Sequence, residues 1–252
     1  MRGGSVEDEA ALAGFEELGN RTGLGTAPEG PEMESLVAAV EPEGRRENFR
    51  RHRMDLRAAR QRVGTMPPPP TISGIARDAL RALRGAPTGA LLDKLGERLG
   101  CERTATRLYD TLLEKLDQHG SFEGGPTRAR LERIRAEEAA HFALLAATIR
   151  DLDGDPTAMT PSADLASVAA SGVVKVLNDP RTNLAESCEA VLVAELADRD
   201  GWVRLIELAE QVGETELARA CRRAENAEEG HLASLRSWIS AWYATRGGAA
   251  LE

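Results

Sequence analysis

The chain has 252 residues, 42% of them apolar but only 4% aromatic, so it can bury a sizeable core and that core is expected to be aliphatic and helical. A formal net charge of −9 disfavours general nucleic-acid binding, and no run approaches the ~18 consecutive apolar residues of a membrane span. Three scattered cysteines, Cys101, Cys188 and Cys221, exclude a disulfide framework or a Cys-x-x-Cys metal knuckle, and acids between Met1 and Glu17 stand where a signal peptide needs an apolar core, so a cytoplasmic location is expected.

Residues 1–70 read as a disordered charged and proline-rich arm. Up to Glu43 it carries ten acids against two arginines; residues 44–62 then reverse sign, with eight arginines against Glu47 and Asp55. Apolar residues are too sparse to offset the entropy of ordering this arm. It is either a solvated tail or a docking arm for an acidic partner or a neighbouring subunit, with nucleic acid disfavoured by the overall charge. Pro67–Pro70 form a stiff spacer. Residues 71–87 then read as a short amphipathic helix, with Ile72, Ile75, Ala79, Leu80 and Leu83 on one face and Arg77, Arg81 and Arg84 off it.

From Thr88 the pattern becomes long and regular, and residues 88–246 form the main helical unit. A first helix is expected from about Thr88 to Gln118, with Leu91, Leu95, Leu99, Tyr109, Leu113 and Leu116 on one stripe and Glu102 inside it. Pro126 suits the first turn of a second helix running to about Leu152, whose apolar face of Leu131, Ile134, Phe142, Leu145 and Ile149 is interrupted by Glu138 and His141. After the break at Gly154 and Pro156 comes a short helix, Ala163 to Leu177, closed by Asn178-Asp179-Pro180. Asn183 can cap a third long helix to about Val212, with Cys188, Val191, Leu192, Trp202, Leu205 and Ile206 inward and Glu195 in line with them. Gly213 breaks the chain again. A fourth helix, Thr215 to Tyr243, turns Leu217, Cys221, Leu232, Leu235, Trp238, Ile239 and Trp242 inward, interrupted by Glu228 and His231.

Two of the four histidines thus belong to one repeated phrase, Glu138-x-x-His141 and Glu228-x-x-His231. A spacing of three puts both groups on one helical face, one turn apart, where a carboxylate oxygen and an imidazole nitrogen can converge on a cation. The repeat extends further. Glu102 aligns with Glu195, Tyr109 with Trp202, Leu112 with Leu205, Leu131 with Cys221, Phe142 with Leu232 and Ile149 with Ile239. The Glu-x-x-His phrase follows the lone glutamate by 36 residues in the first half and 33 in the second, the extra three fitting in the longer first loop. Two hairpins built to one plan would bring four carboxylates and two imidazoles to mid-bundle. Burying these in an aliphatic core is very costly unless cations neutralise them, and two divalent metals do so.

With Glu102, Glu138, His141, Glu195, Glu228 and His231 in that pattern, the chain resembles the ferritin-like superfamily of di-iron carboxylate proteins over roughly residues 88–243. The ligand set is similar to that of bacterioferritin and rubrerythrin, although no four-cysteine rubredoxin-type site and no convincing haem methionine are present. The resemblance implies an all-α ferritin-like four-helix bundle, with a long crossover between the second and third bundle helices, preceded by the disordered arm. It implies Glu102 and Glu195 as terminal ligands, Glu138 and Glu228 as bridges, and His141 and His231 as nitrogen ligands. Two Fe ions are the expected cofactor, with Mn the alternative suited to the same hard donors. The expected reaction is oxidation of Fe(II) or reduction of O2 or H2O2, as in a ferroxidase or a peroxide-detoxifying oxidoreductase. The alternatives are a di-iron or di-manganese oxidoreductase acting on an organic substrate, or a non-enzymatic metal-binding scaffold. A homo-oligomer is the partner the family suggests. Tyr109, Asp198 and Trp202 are candidates to act on the ligands from behind, Asp198 by orienting a histidine; Tyr109 and Trp202 are otherwise core aromatics and Asp198 otherwise a surface acid. Glu137 and Glu229 flank the motifs and are expected to be solvated.

Overall fold

The long apolar stripes emerge as five helices, and no strand is found among the described residues of the computed structural model, which are Arg51, Met54 and 89–249. They are α1 (Gly89–His119), α2 (Arg128–Asp151), α3 (Pro161–Asn178), α4 (Leu184–Gln211) and α5 (Thr215–Ala249). The fold is all-helical. None of these helices is long and apolar enough to cross a membrane. Arg51 and Met54 are helical and exposed; the rest of the arm and the amphipathic segment 71–87 lie outside the described residues.

Local chemistry sets the boundaries. Thr127 caps α2 by accepting from the backbone N–H of Arg130, so Pro126 stands before the cap instead of in the first turn. Asn183 and Glu186 form a reciprocal capping box at the start of α4. Thr160 caps α3, whose first helical residue is Pro161, a place where the missing N–H costs nothing. The tight turn between α4 and α5 needs a left-handed residue, and Gly213 supplies it at φ 81°. Beyond Tyr243, α5 continues six residues past the expected end.

α1 packs on α2 and α4 packs on α5, and the two hairpins meet through α1 against α4 and, more lightly, α2 against α5. Adjacent long helices run antiparallel: Asp110 and Asp117 of α1 pair with Arg135 and Arg128 of α2, and Arg130 of α2 reaches Gly230 and Ser234 of α5. α3 is the crossover between the hairpins and lies along α1 and α4. Its start is tied to α1 by Thr160, whose Oγ1 donates to the carbonyl of Asp93 at 3.0 Å, and by Ser162 to the Asp93 carboxylate. Its end is tied by Lys115, whose ammonium donates to the Thr182 carbonyl at 2.7 Å. Gly96 permits the first of these contacts, because a Cβ there would lie 2.5 Å from Thr160 Cγ2.

The apolar interior divides in two. One cluster includes Leu91, Leu95, Leu99, Leu145, Ile149, Trp202, Leu205 and Cys221; the other includes Leu108, Tyr109, Leu112, Leu131, Ile134, Cys188, Val191 and Leu235. In every long helix the interrupting polar residues fall between the segments that feed these clusters. Cys188 and Cys221 are buried as small hydrophobes, with burial pushing both thiols up to about 12, while Cys101 is half-buried; all three are free. Phe142, Leu113, Leu192, Ile239 and Trp242, expected inward, are only partly covered and form the flanks.

Candidate metal centre

The polar layer between the two apolar clusters contains a glutamate from each of the four long helices. Glu102 comes from α1, Glu138 and His141 from α2, Glu195 from α4, and Glu228 and His231 from α5, and all six side chains are buried. Their phase explains why. Each occupies a helical position in line with Leu, Ile, Tyr or Trp neighbours, so packing the apolar stripes necessarily carries them inside.

The six residues fall into two overlapping groups. Glu102, Glu138, His141 and Glu228 offer ligand atoms within 4.8 Å of one another, and so do Glu138, Glu195, Glu228 and His231. Glu138 and Glu228 belong to both. His141 Nδ1 stands 3.0 Å from Glu228 Oε1, 3.4 Å from Glu102 Oε2 and 3.9 Å from Glu138 Oε2. His231 Nδ1 stands 2.9 Å from Glu138 Oε1, 3.1 Å from Glu228 Oε2 and 3.7 Å from Glu195 Oε2.

These distances do not describe a satisfied hydrogen-bond network. Six oxygens of the four glutamates, together with His141 Nδ1, are buried without a correctly aligned partner. Each such atom ordinarily costs on the order of 1–3 kcal/mol, and more when charged. Without cations the layer must share protons. Burial, then the charge of Glu102, holds the Glu138 carboxyl well above its usual range. Burial, opposed by the bond to His231, pushes Glu195 up to about 7. Burial alone would lower His141, but bonds to Glu102 and Glu228 outweigh it and lift the ring to about 9. His231 is raised the same way, against burial, by Glu138, Glu195 and Glu228. Burial would raise Glu228, yet the two histidines beside it hold it below the carboxylate range. Hard oxygen donors in two groups, each with one imidazole and with orphaned lone pairs facing inward, fit divalent cations. These buried Glu/His clusters could each hold a metal ion.

The residues around the layer differ from expectation in two places, at Asp198 and Glu137. Tyr109 is a core aromatic, and its hydroxyl also donates to Glu195 Oε1 at 2.6 Å. Its repeat partner Trp202 packs edge-on to His141, with centroids 5.4 Å apart, and its indole N–H is buried without an acceptor. Asp198 neither orients a histidine nor faces solvent: it is buried and ion-paired with Arg98, which also donates to the Asp198 carbonyl at 2.8 Å. Helix α4 turns Asp198 toward Arg98 of α1. Gly201 makes room, since a Cβ there would sit 2.6 Å from the guanidinium carbon. Glu137, expected to be solvated, lies 2.9 Å from His231 Nε2 and is half-buried. α5 packs along that flank of α2, and so the direction that seems to face water faces a histidine. Glu229 is exposed and pairs with Arg199, as a surface acid does. Arg98, which the helical pattern does not single out, stands four residues before Glu102 on the same face, and that spacing is its one signal in the sequence.

An open groove of about 490 Å³ between α4 and α5 is lined by Val193, Leu196, Arg199, Glu229 and Arg236 among others, and none of the six central residues lines it. Compared with protein-family models, curated proteins and solved structures, the chain has no significant match.

Proposed function

We propose that this chain is a ferritin-like protein whose four long helices form a bundle around two iron ions, and that it oxidises Fe(II) or reduces O2 or H2O2 there. One observation carries the reading: two buried Glu/His groups that share Glu138 and Glu228, in a largely apolar interior where six of the eight carboxylate oxygens accept no hydrogen bond. Terminal ligation by Glu102 with His141, and by Glu195 with His231, leaves the two shared carboxylates to hold the ions close together. When bound, the ion pair supplies two electrons to the oxidant. The chain's own residues do the rest. Hard carboxylates favour Fe or Mn over softer-ligand metals. Each imidazole turns Nδ1 toward the carboxylates, and holding a cation there would require the neutral ring with its proton on Nε2. The aliphatic clusters above and below exclude bulk water, and Tyr109 fixes one oxygen of Glu195 so that the other stays turned toward His231.

Metal analysis of the purified chain, followed by addition of Fe(II) under air, tests this directly. The expected content is two ions per chain, with Fe(II) oxidised faster than in buffer. If Glu138→Ala and Glu228→Ala bind and oxidise iron as wild type does, the reading is wrong.

A further inference from the structure

The repeat in the sequence makes the two halves of the centre equivalent on paper, yet the structure surrounds them differently. On the Glu195/His231 side, every terminal ligand is held from behind. Glu137 faces His231 Nε2 at 2.9 Å, and is itself held by Arg133 at 3.3 Å and Arg130 at 3.8 Å. Arg130 is in turn anchored on α5, donating to the Gly230 carbonyl and to Ser234 Oγ, each at 3.0 Å. Tyr109 donates to Glu195 at 2.6 Å. On the Glu102/His141 side these supports are missing. The position matching Glu137 is Ala227, which has no acceptor to offer, and the position matching Tyr109 is Trp202, whose N–H reaches nothing. Neither oxygen of Glu102 accepts a hydrogen bond from outside the six-residue cluster, and His141 keeps 8% of its surface exposed where His231 keeps none.

We infer that the two ion positions are inequivalent: the Glu195/His231 position fills first and tightest, and the Glu102/His141 position fills second and empties first, with Glu137 as the positioning residue that creates the difference. The physical reason is pre-organisation. An imidazole whose Nε2–H is held by a carboxylate has its tautomer and ring angle chosen before the ion arrives, and it is a stronger donor through Nδ1. The unsupported side must order Glu102 and His141 at the moment of binding. Outer partners of this kind alter metal affinity about 10–100-fold. The inference rests on the metal-binding reading above.

Anaerobic calorimetric titration of the metal-free full chain with Fe(II), with no turnover involved, separates the two. Wild type is expected to bind two ions in distinct steps, at least ~10-fold apart in Kd. Glu137→Gln, at a half-exposed position that the fold does not require, should weaken the tight step about 10-fold and leave the weak step alone. Tyr109→Phe should act on the same step. His141→Ala should retain one ion at the tight affinity, and His231→Ala one ion at the weak affinity, with circular dichroism checking that each stays helical. Two equal sites in wild type, a Glu137→Gln change shared by both steps, or a tighter remaining site in His231→Ala than in His141→Ala would overturn the inference while leaving the metal centre intact. A wild-type chain that binds no ion overturns both.

Discussion

Replacing Glu138 by Gln should have opposite effects with and without metal. The side chain is 1% exposed and lies among Glu102, Glu195 and Glu228, so in the metal-free protein its charge meets both desolvation and like-charge repulsion. An uncharged isostere escapes both penalties, so the metal-free variant should be at least as stable as wild type. With ions, the same carboxylate belongs to both ligand groups. At a free concentration of 100 Kd each site contributes about 2.7 kcal/mol, so two sites contribute about 5 kcal/mol. At about 2–4 °C per kcal/mol for a unit of this size, wild type should gain roughly 10–20 °C on loading. Glu138→Gln should lose most of that gain. Thermal unfolding followed by circular dichroism, in chelator and in excess Mn(II) or anaerobic Fe(II), is the measurement. The variant should melt at or above wild type in chelator and well below it in metal. A variant that melts lower in both, or that gains as much from metal as wild type does, would show that Glu138 is an ordinary packing residue.

In chelator, stability should fall as pH rises from about 4.5 to 9. Glu195, raised from 4.5 to about 7, and His141, raised from 6.5 to about 9, both contribute stability that is fully present below the unfolded value and is lost as pH climbs through the folded one. For Glu195 alone the loss is on the order of 3 kcal/mol. With saturating metal the slope should reverse, because the ligands must be deprotonated to bind; parallel Tm-versus-pH curves with and without metal would contradict this. Gly201→Ala should destabilise by about 1–3 kcal/mol in chemical denaturation, since its Cβ would crowd the Arg98 guanidinium that pairs with buried Asp198; a change below about 0.5 kcal/mol would mean that the guanidinium shifts at no cost. Leu165→Gln and Val168→Gln, at exposed positions of α3, should each shift stability by less than about 0.5 kcal/mol, and a larger loss would mean that this face is covered in solution.

The ligand candidates were legible in the chain because helical phase is a one-dimensional property. A glutamate placed in register with Leu95, Leu99 and Tyr109, or three residues before a histidine, must enter the interior if the stripe does. The capping signal at Asn183 marked where α4 begins for the same reason, since a cap depends only on residues three apart. The internal repeat paired the halves by spacing alone.

What only the tertiary structure decided is the company each candidate ligand keeps. Glu137 sits about 100° around α2 from Glu138 and so looks solvent-facing in a helical projection. Whether that flank meets water or α5 depends on the rotation and offset of two helices about a hundred residues apart in the chain. The same holds for Tyr109 with Glu195 across α1 and α4, and for Arg98 with Asp198 across the same pair. Periodicity says which residues go inside a helical assembly. The sequence sets Glu137 against Ala227 and Tyr109 against Trp202, but only side-chain directions across the helix interfaces show that Glu137 and Tyr109 face His231 and Glu195 from behind.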